Sequence, residues 1–205
     1  MERGAPLADP ERIAARARAA SGVDVPAHVL FEWEYVDERG NLRGEGAARV
    51  NPPDRFRLDL FTTGDGSMSV VLVDDRLSTG GVLEEDIRLP PEPFLYAMTG
   101  IFRPGGGPPA EGFESDGFQV LGYGGADGAM RYYYLSEGRL VRAEERRAGR
   151  TARRIEIEWG EDATWPGEAR YRDEAGPSAV RWSLVRSRTA NDPWPEDIYA
   201  LPGSP

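Results

Sequence analysis

The sequence predicts a mostly-β α+β protein, with about eleven antiparallel strands and two helices in a chain of 205 residues. Three observations lead there. Apolar residues recur with a period of two over most of the chain, as on half-buried strands. The segments that carry this pattern are short and are bounded by Gly-rich turn signals. Only two segments show the apolar spacing of a helix.

The first element is a helix over Glu11–Ala20: Asp9 is placed to cap it, Pro10 occupies the first helical position, and Ile13, Ala17 and Ala20 share one face. After Val23–Pro26 the period changes to two. Val29, Phe31, Trp33 and Tyr35 then face one way, and Glu32 and Glu34 the other. The turn at Asp37–Asn41 leads into Leu42–Val50, where Gly44, Gly46 and Ala48 leave one face almost without side-chain volume, so something large must lie over it. Arg55–Phe61 presents Phe56, Leu58 and Leu60 on one side, and Gly64-Asp65-Gly66 turns the chain into Ser67–Val73, which carries Val70 and Leu72. A short strand over Leu77–Leu83 follows Asp74-Asp75.

Pro91 and Pro93 open a second helix, expected to run to Phe102, with Phe94, Leu95, Met98, Ile101 and Phe102 on one wide apolar face. The Gly- and Pro-rich segment 103–116 reads as a loop and a candidate hinge. Strands resume at Gly117–Tyr123, Met130–Ser136, Arg139–Arg147, Arg150–Trp159, Ala169–Asp173 and Ala179–Arg188, with Glu137-Gly138 and Ala148-Gly149 as turns. The proline-punctuated end, with Trp194, Ile198 and Leu201, reads as a latch along the sheet edge. No internal repeat is evident, and residues 1–205 are expected to form a single domain.

Composition narrows the chemistry. A net charge of −10 argues against a protein that tracks phosphates of a nucleic acid, and against simple adsorption to anionic lipid. All 25 basic residues are arginine, which reads as the codon bias of a GC-rich genome. There is no cysteine, so disulfides, zinc-thiolate sites and a cysteine nucleophile are excluded. The N-terminus has none of the regions of a signal peptide, and no run of 18 apolar residues occurs.

Catalytic and metal constellations find little support. A Ser-His-Asp site would have to use His28, the only histidine, and no Gly-x-Ser-x-Gly elbow is present; His28 reads as a structural or solvated residue. The acidic clusters Asp74-Asp75, Glu84-Glu85-Asp86 and Glu144-Glu145 lack the spacing of a calcium loop and read as solvated surface. A carboxylate pair of glycosidase type stays open, because sequence does not measure separation. The hairpin Arg139–Trp159 is dense in arginine, and its forks suit either phosphate oxygens or a cross-strand ladder with Glu144, Glu145, Glu156 and Glu158; the ladder is the favoured reading. No catalytic residue, cofactor or metal ligand is assigned.

One stretch carries a resemblance. Gly44 and Gly46 on a small-residue strand, the corner Pro53-Asp54-Arg55, and Arg57-Leu58 on the next strand resemble the lipoprotein localisation factor (LolA/LolB-like) superfamily. The order of helix, strands, helix and strands is similar too. That resemblance implies an incomplete antiparallel β-barrel with helices covering its concave side. It implies a non-enzymatic carrier or receptor that holds a lipid or acylated cargo in an apolar cavity. The concave residues are then expected to be Phe31, Trp33, Tyr35, Phe56, Leu58, Val70 and Leu72, with Phe118, Val120 and Trp182, and Phe94, Leu95 and Met98 on a helical lid.

The resemblance further implies a periplasm-facing protein, an outer-membrane lipoprotein in its precursor, with a membrane or envelope-protein partner and no nucleic acid. Unlike the family's outer-membrane receptor, the turn Thr62–Ser67 has no large apolar residue, which argues against membrane insertion there. The alternative on the same fold is a protein-interaction or envelope-stress sensor domain.

Overall fold

The computed structural model describes residues 3–21, 26–52, 55–63, 66–73, 76–82, 87–125, 128–161 and 163–201. Helix α1 spans Pro10–Ser21 and α2 spans Glu92–Met98. The strands are β1 (Ala27–Asp37), β2 (Gly40–Asn51), β3 (Arg55–Thr62), β4 (Ser67–Val73), β5 (Arg76–Val82), β6 (Glu111–Ser115), β7 (Phe118–Gly124), β8 (Met130–Ser136), β9 (Arg139–Arg147), β10 (Arg150–Trp159), β11 (Pro166–Asp173) and β12 (Ser178–Thr189). They form one antiparallel sheet, ordered β5-β4-β3-β2-β1-β12-β11-β10-β9-β8-β7-β6, that does not close. The open antiparallel sheet with two helices is the fold class that the sequence predicts.

The twelfth strand is β6, which falls inside the segment expected to be loop. Asp116 and Gly117 have φ of 51° and 81°, the left-handed pair of a two-residue hairpin, and they register Phe113 against Val120. The loop is therefore limited to residues 103–110. Glu137-Gly138 and Ala148-Gly149 make the same kind of turn, as expected. The corner Pro53-Asp54, Gly64-Asp65, Asp74-Asp75 and Glu84-Glu85-Asp86 lie outside the described residues, as do 23–25 of the first connection.

Helix α1 begins where its cap predicts: the Arg12 amide donates to Asp9 Oδ1 at 2.9 Å. Helix α2 is shorter than the apolar pattern suggests. Gly100, at φ 78°, closes it: the Gly100 amide donates to the Ala97 carbonyl at 2.8 Å, and the Ile101 amide to the Tyr96 carbonyl at 3.1 Å. Ile101 and Phe102 thus lie beyond the helix.

Contacts divide the chain into two compact units, Met1–Gly22 with Pro93–Ala179, and Val23–Glu92 with Val180–Pro205. In the first, α1 and α2 lie on one face of the strands. Pro10 sits over Gly112, Ala20 beside Gly138, Phe102 makes edge contacts with Tyr123 and Tyr133, and Phe94 does so with Tyr171. In the second, the inward residues of β1 to β4 are buried and the C-terminal segment lies across the other face. There Arg57 donates to the Ile198 carbonyl at 2.6 Å, the Asn51 side-chain amide donates to the Trp194 carbonyl and accepts from the Trp194 amide, and Leu201 meets Gly80. The latch therefore covers a sheet face as well as reaching the edge strand β5.

Candidate apolar binding faces

In the second unit the apolar layer is built by register. Phe31 stands opposite Gly46 and Trp33 opposite Gly44. A Cβ on Gly46 would lie 2.3 Å from the Phe31 ring, so the ring lies flat over the bare backbone. The Trp33 indole covers Gly44 in the same way and its Nε1 donates to the Glu45 carbonyl at 3.0 Å. The large groups expected over the small-residue strand are thus the chain's own aromatic rings. Trp182 stacks on Phe31 with centroids 4.6 Å apart. The next strands continue the layer through the rows Ala48, Leu58, Val70 and Val50, Phe56, Leu72. Phe31, Trp33, Tyr35, Phe56, Leu58, Val70, Leu72 and Trp182 are all buried. Tyr35 tips the layer with a polar end, donating to Asp37 Oδ2 at 3.2 Å.

In the first unit Phe94, Leu95 and Met98 are buried on α2, with Phe94 against Tyr171 at 5.6 Å. Burial, then the nearby Asp173 charge, raises the Tyr171 phenol. The Phe102 amide donates to Ser21 Oγ at 2.9 Å, which ties the segment after α2 to the end of α1. Leu121, Tyr133, Ala143, Ile155 and Tyr171 form one apolar row beneath the helices. The adjacent row, Tyr123, Arg131, Glu145, Arg153 and Asp173, is a ladder of alternating charge. The buried Glu145 accepts from Arg131, Arg147 and Arg153. A buried carboxylate is tolerable only with such partners.

Phe118 and Val120 do not join that face. Strand alternation puts them on the opposite side of β7 from Leu121 and Tyr123, in a cluster with Phe113, Tyr132 and Tyr134. Expecting them on the helix-covered side was a face error, since alternation gives two sides without saying which is covered. Arginines lie over this outer cluster: Arg142 over Tyr134 at 4.9 Å and Phe118 at 5.7 Å, Arg146 over Tyr132 at 5.4 Å, and Arg3 over Phe113 at 5.2 Å. Burial, and then Glu144, push the Tyr134 phenol up to about 12.

The arginine-rich hairpin is mostly the expected ladder. Arg146 and Arg154 meet Glu144, Arg153 meets Glu145, and Arg154 also meets Glu156, whereas Glu158 pairs with Arg170 of β11. Arg139 instead lies over Trp159. His28 has a structural place: its ring meets Trp194 edge-on at 6.0 Å, and burial, then Arg49 and Arg188, lower its pKa. Among the described residues no group of three or more His, Asp or Glu side chains is placed to hold a metal, and no helix is long and apolar enough to cross a membrane.

No protein-family model and no curated protein sequence matches the chain. Solved structures do. A LolA superfamily protein from Nitrosomonas europaea has a TM-score of 0.64 at 10% identity, covering 94% of this chain and 97% of that one. A domain from Vibrio parahaemolyticus whose name refers to outer membrane lipoprotein sorting has a TM-score of 0.57 at 9% identity, covering 93% and 96%. A DUF1329 family protein from Desulfovibrio piger has a TM-score of 0.54 at 10% identity, covering 96% and 98%. The resemblance read from the sequence is therefore found in three dimensions: the chain has the fold of LolA superfamily structures.

Proposed function

We propose that this protein is a non-enzymatic, periplasm-facing carrier or receptor for a lipid or an acylated molecule, working as a single domain over residues 1–205. The observation that supports this reading most is the match along nearly the whole chain to a LolA superfamily structure. The apolar residues of the two units give it a physical basis. The binding groups are Phe31, Trp33, Tyr35, Phe56, Leu58, Val70, Leu72 and Trp182 in one unit, with Phe94, Leu95 and Met98 of α2 in the other; Phe118 and Val120 are left out.

Helix α2 is the element an acyl chain would replace. Burial of Phe94, Leu95 and Met98 is worth about 1.5–3 kcal/mol each, so opening this face costs about 5–9 kcal/mol. At about 0.8 kcal/mol per buried methylene, some six to eleven methylenes of one acyl chain offset that cost. Uptake and release are then near balance, as a carrier requires. Residues 103–110, rich in Gly and Pro just after α2, supply the freedom for movement.

Native mass spectrometry of protein purified without detergent, followed by organic extraction, tests the reading. A stoichiometric lipid, reduced in Phe94→Asp and also in the milder Met98→Gln, is the expected result. A uniformly empty protein that takes up no fluorescent acyl probe would overturn it. The second reading, a protein-interaction domain, draws support from a groove on the outer face of the second unit.

A further inference from the structure

Strands β1, β2 and β3 carry a groove of about 650 Å³ on their outer side, bordered also by Trp33 and Gly44. Glu32 and Glu34 of β1, Arg43 and Glu45 of β2, Phe61 of β3 and Arg181 of β12 line it. Register places Glu32 directly opposite Glu45, and Glu45 opposite Phe61, so two carboxylates and one aromatic ring make a single row. In the adjacent row Glu34 and Arg43 satisfy each other at 2.8 Å.

The Glu32–Glu45 pair has no such relief. Both side chains are exposed, and among the described residues neither carboxylate has a hydrogen bond or ion pair. Like charges directly opposite across strands destabilise a sheet. Beside them Phe61 is 48% exposed, an apolar ring on the outer face of a strand that elsewhere on that face carries Arg57 and Asp59. The volume is that of a site for a sizeable ligand, far more than one ion needs.

We propose that this groove docks a basic segment of a partner protein. A guanidinium or ammonium group seated between Glu32 and Glu45 turns their repulsion into charge-assisted hydrogen bonds. The aliphatic stem of the same side chain, or an apolar neighbour, lies on Phe61. Glu32 and Glu45 lie on the opposite face of β1 and β2 from Phe31, while Trp33 borders the groove as well.

The test uses the whole chain and a fluorescein-labelled peptide of sequence Gly-Ser-Leu-Arg-Ser-Leu-Arg-Ser-Gly, read by fluorescence anisotropy at near-physiological salt. The counterpart with both arginines replaced by glutamate is the control. Glu32→Gln combined with Glu45→Gln should weaken binding about tenfold, and Phe61→Ser should weaken it several-fold. Glu137→Gln with Glu174→Gln removes the same net charge from hairpins of the other unit and should leave binding within about twofold. The Glu32→Gln/Glu45→Gln protein should melt at or above the wild-type temperature, since it loses a repulsion.

Four results would each overturn the proposal: no binding of the arginine peptide by wild type, equal binding by wild type and the groove variant, an equal loss in the remote variant, or a lower melting temperature on removing the two charges.

Discussion

The packing of Phe31 on Gly46 offers a sharp test of how the apolar layer is built. A methyl group at residue 46 would stand 2.3 Å from Phe31 Cζ and 2.4 Å from Cε2, well inside van der Waals contact. The ring has little room to withdraw, because Trp182 stacks on it at 4.6 Å. Overpacking of this kind costs about 1–3 kcal/mol. For a chain of this length that is a fall of about 2–12 °C in Tm.

The same methyl group should be tolerated in Phe31→Leu, which deletes both offending atoms. Denaturant unfolding of Gly46→Ala, Phe31→Leu and the double variant then yields a favourable coupling of about 1–2 kcal/mol. Gly44 behaves differently: a Cβ there would meet the Phe61 carbonyl oxygen, an atom of the paired backbone, so Gly44→Ala should be worse and no side-chain truncation should rescue it. Wild-type stability for Gly46→Ala, or the same cost in the presence and absence of the Phe31 ring, would refute the packing argument.

Other outcomes follow from single features. Glu145→Ala leaves Arg131, Arg147 and Arg153 facing a vacated, buried site and should cost about 3–5 kcal/mol in chemical denaturation. Gly100→Ala forces a left-handed residue to carry a Cβ, 2.5 Å from the Trp159 ring, and should cost at least 1–2 kcal/mol, about the penalty of the backbone alone. His28 contributes a pH dependence of known sign. Its folded pKa lies below the ordinary histidine value of about 6.5, so the unfolded chain binds the proton more readily, and stability complete above about pH 6.5 declines as pH falls toward the lowered folded value. Melting curves of His28→Gln should be flatter than wild type across that window; parallel curves would exclude the histidine as the cause.

Most of the secondary structure was legible because its causes are local. The period of two in Val29, Phe31, Trp33 and Tyr35 is a property of the pleat, and Asp9 caps α1 through a bond three residues away. The turns Glu137-Gly138 and Ala148-Gly149 are signalled by their glycines, which take a positive φ without steric penalty, while Glu137 and Ala148 are held in the left-handed region beside them. The Asp116-Gly117 signal was equally local, but it was masked by the run of Gly and Pro before it, and β6 was read as loop. Gly100 likewise carried the stop for α2, while the apolar pattern of Ile101 and Phe102 suggested that the helix continued.

What alternation left undetermined is the side of the sheet on which each apolar set lies. Phe118 and Val120 share the period of Leu121 and Tyr123 but occupy the other face, beneath Arg142, and it is packing, of Pro10 on Gly112, Phe94 on Tyr171 and Phe102 on Tyr123 and Tyr133, that identifies the helix-covered side. The small residues of β2 announced that something covers them, yet ligand and protein ring fit that space alike until Phe31 and Trp33 were seen in it. The groove was unreadable for a related reason. Glu32, Glu45 and Phe61 are far apart in the chain, and it is the register of three strands that makes them one row. The sequence by itself determined eleven of the strands, the Glu137-Gly138 and Ala148-Gly149 turns, the cap of α1 and the absence of cysteine chemistry, since each depends on neighbours along the chain. Tertiary structure decided face, register and the partners of buried charge, because these depend on which distant residues the sheet brings opposite one another.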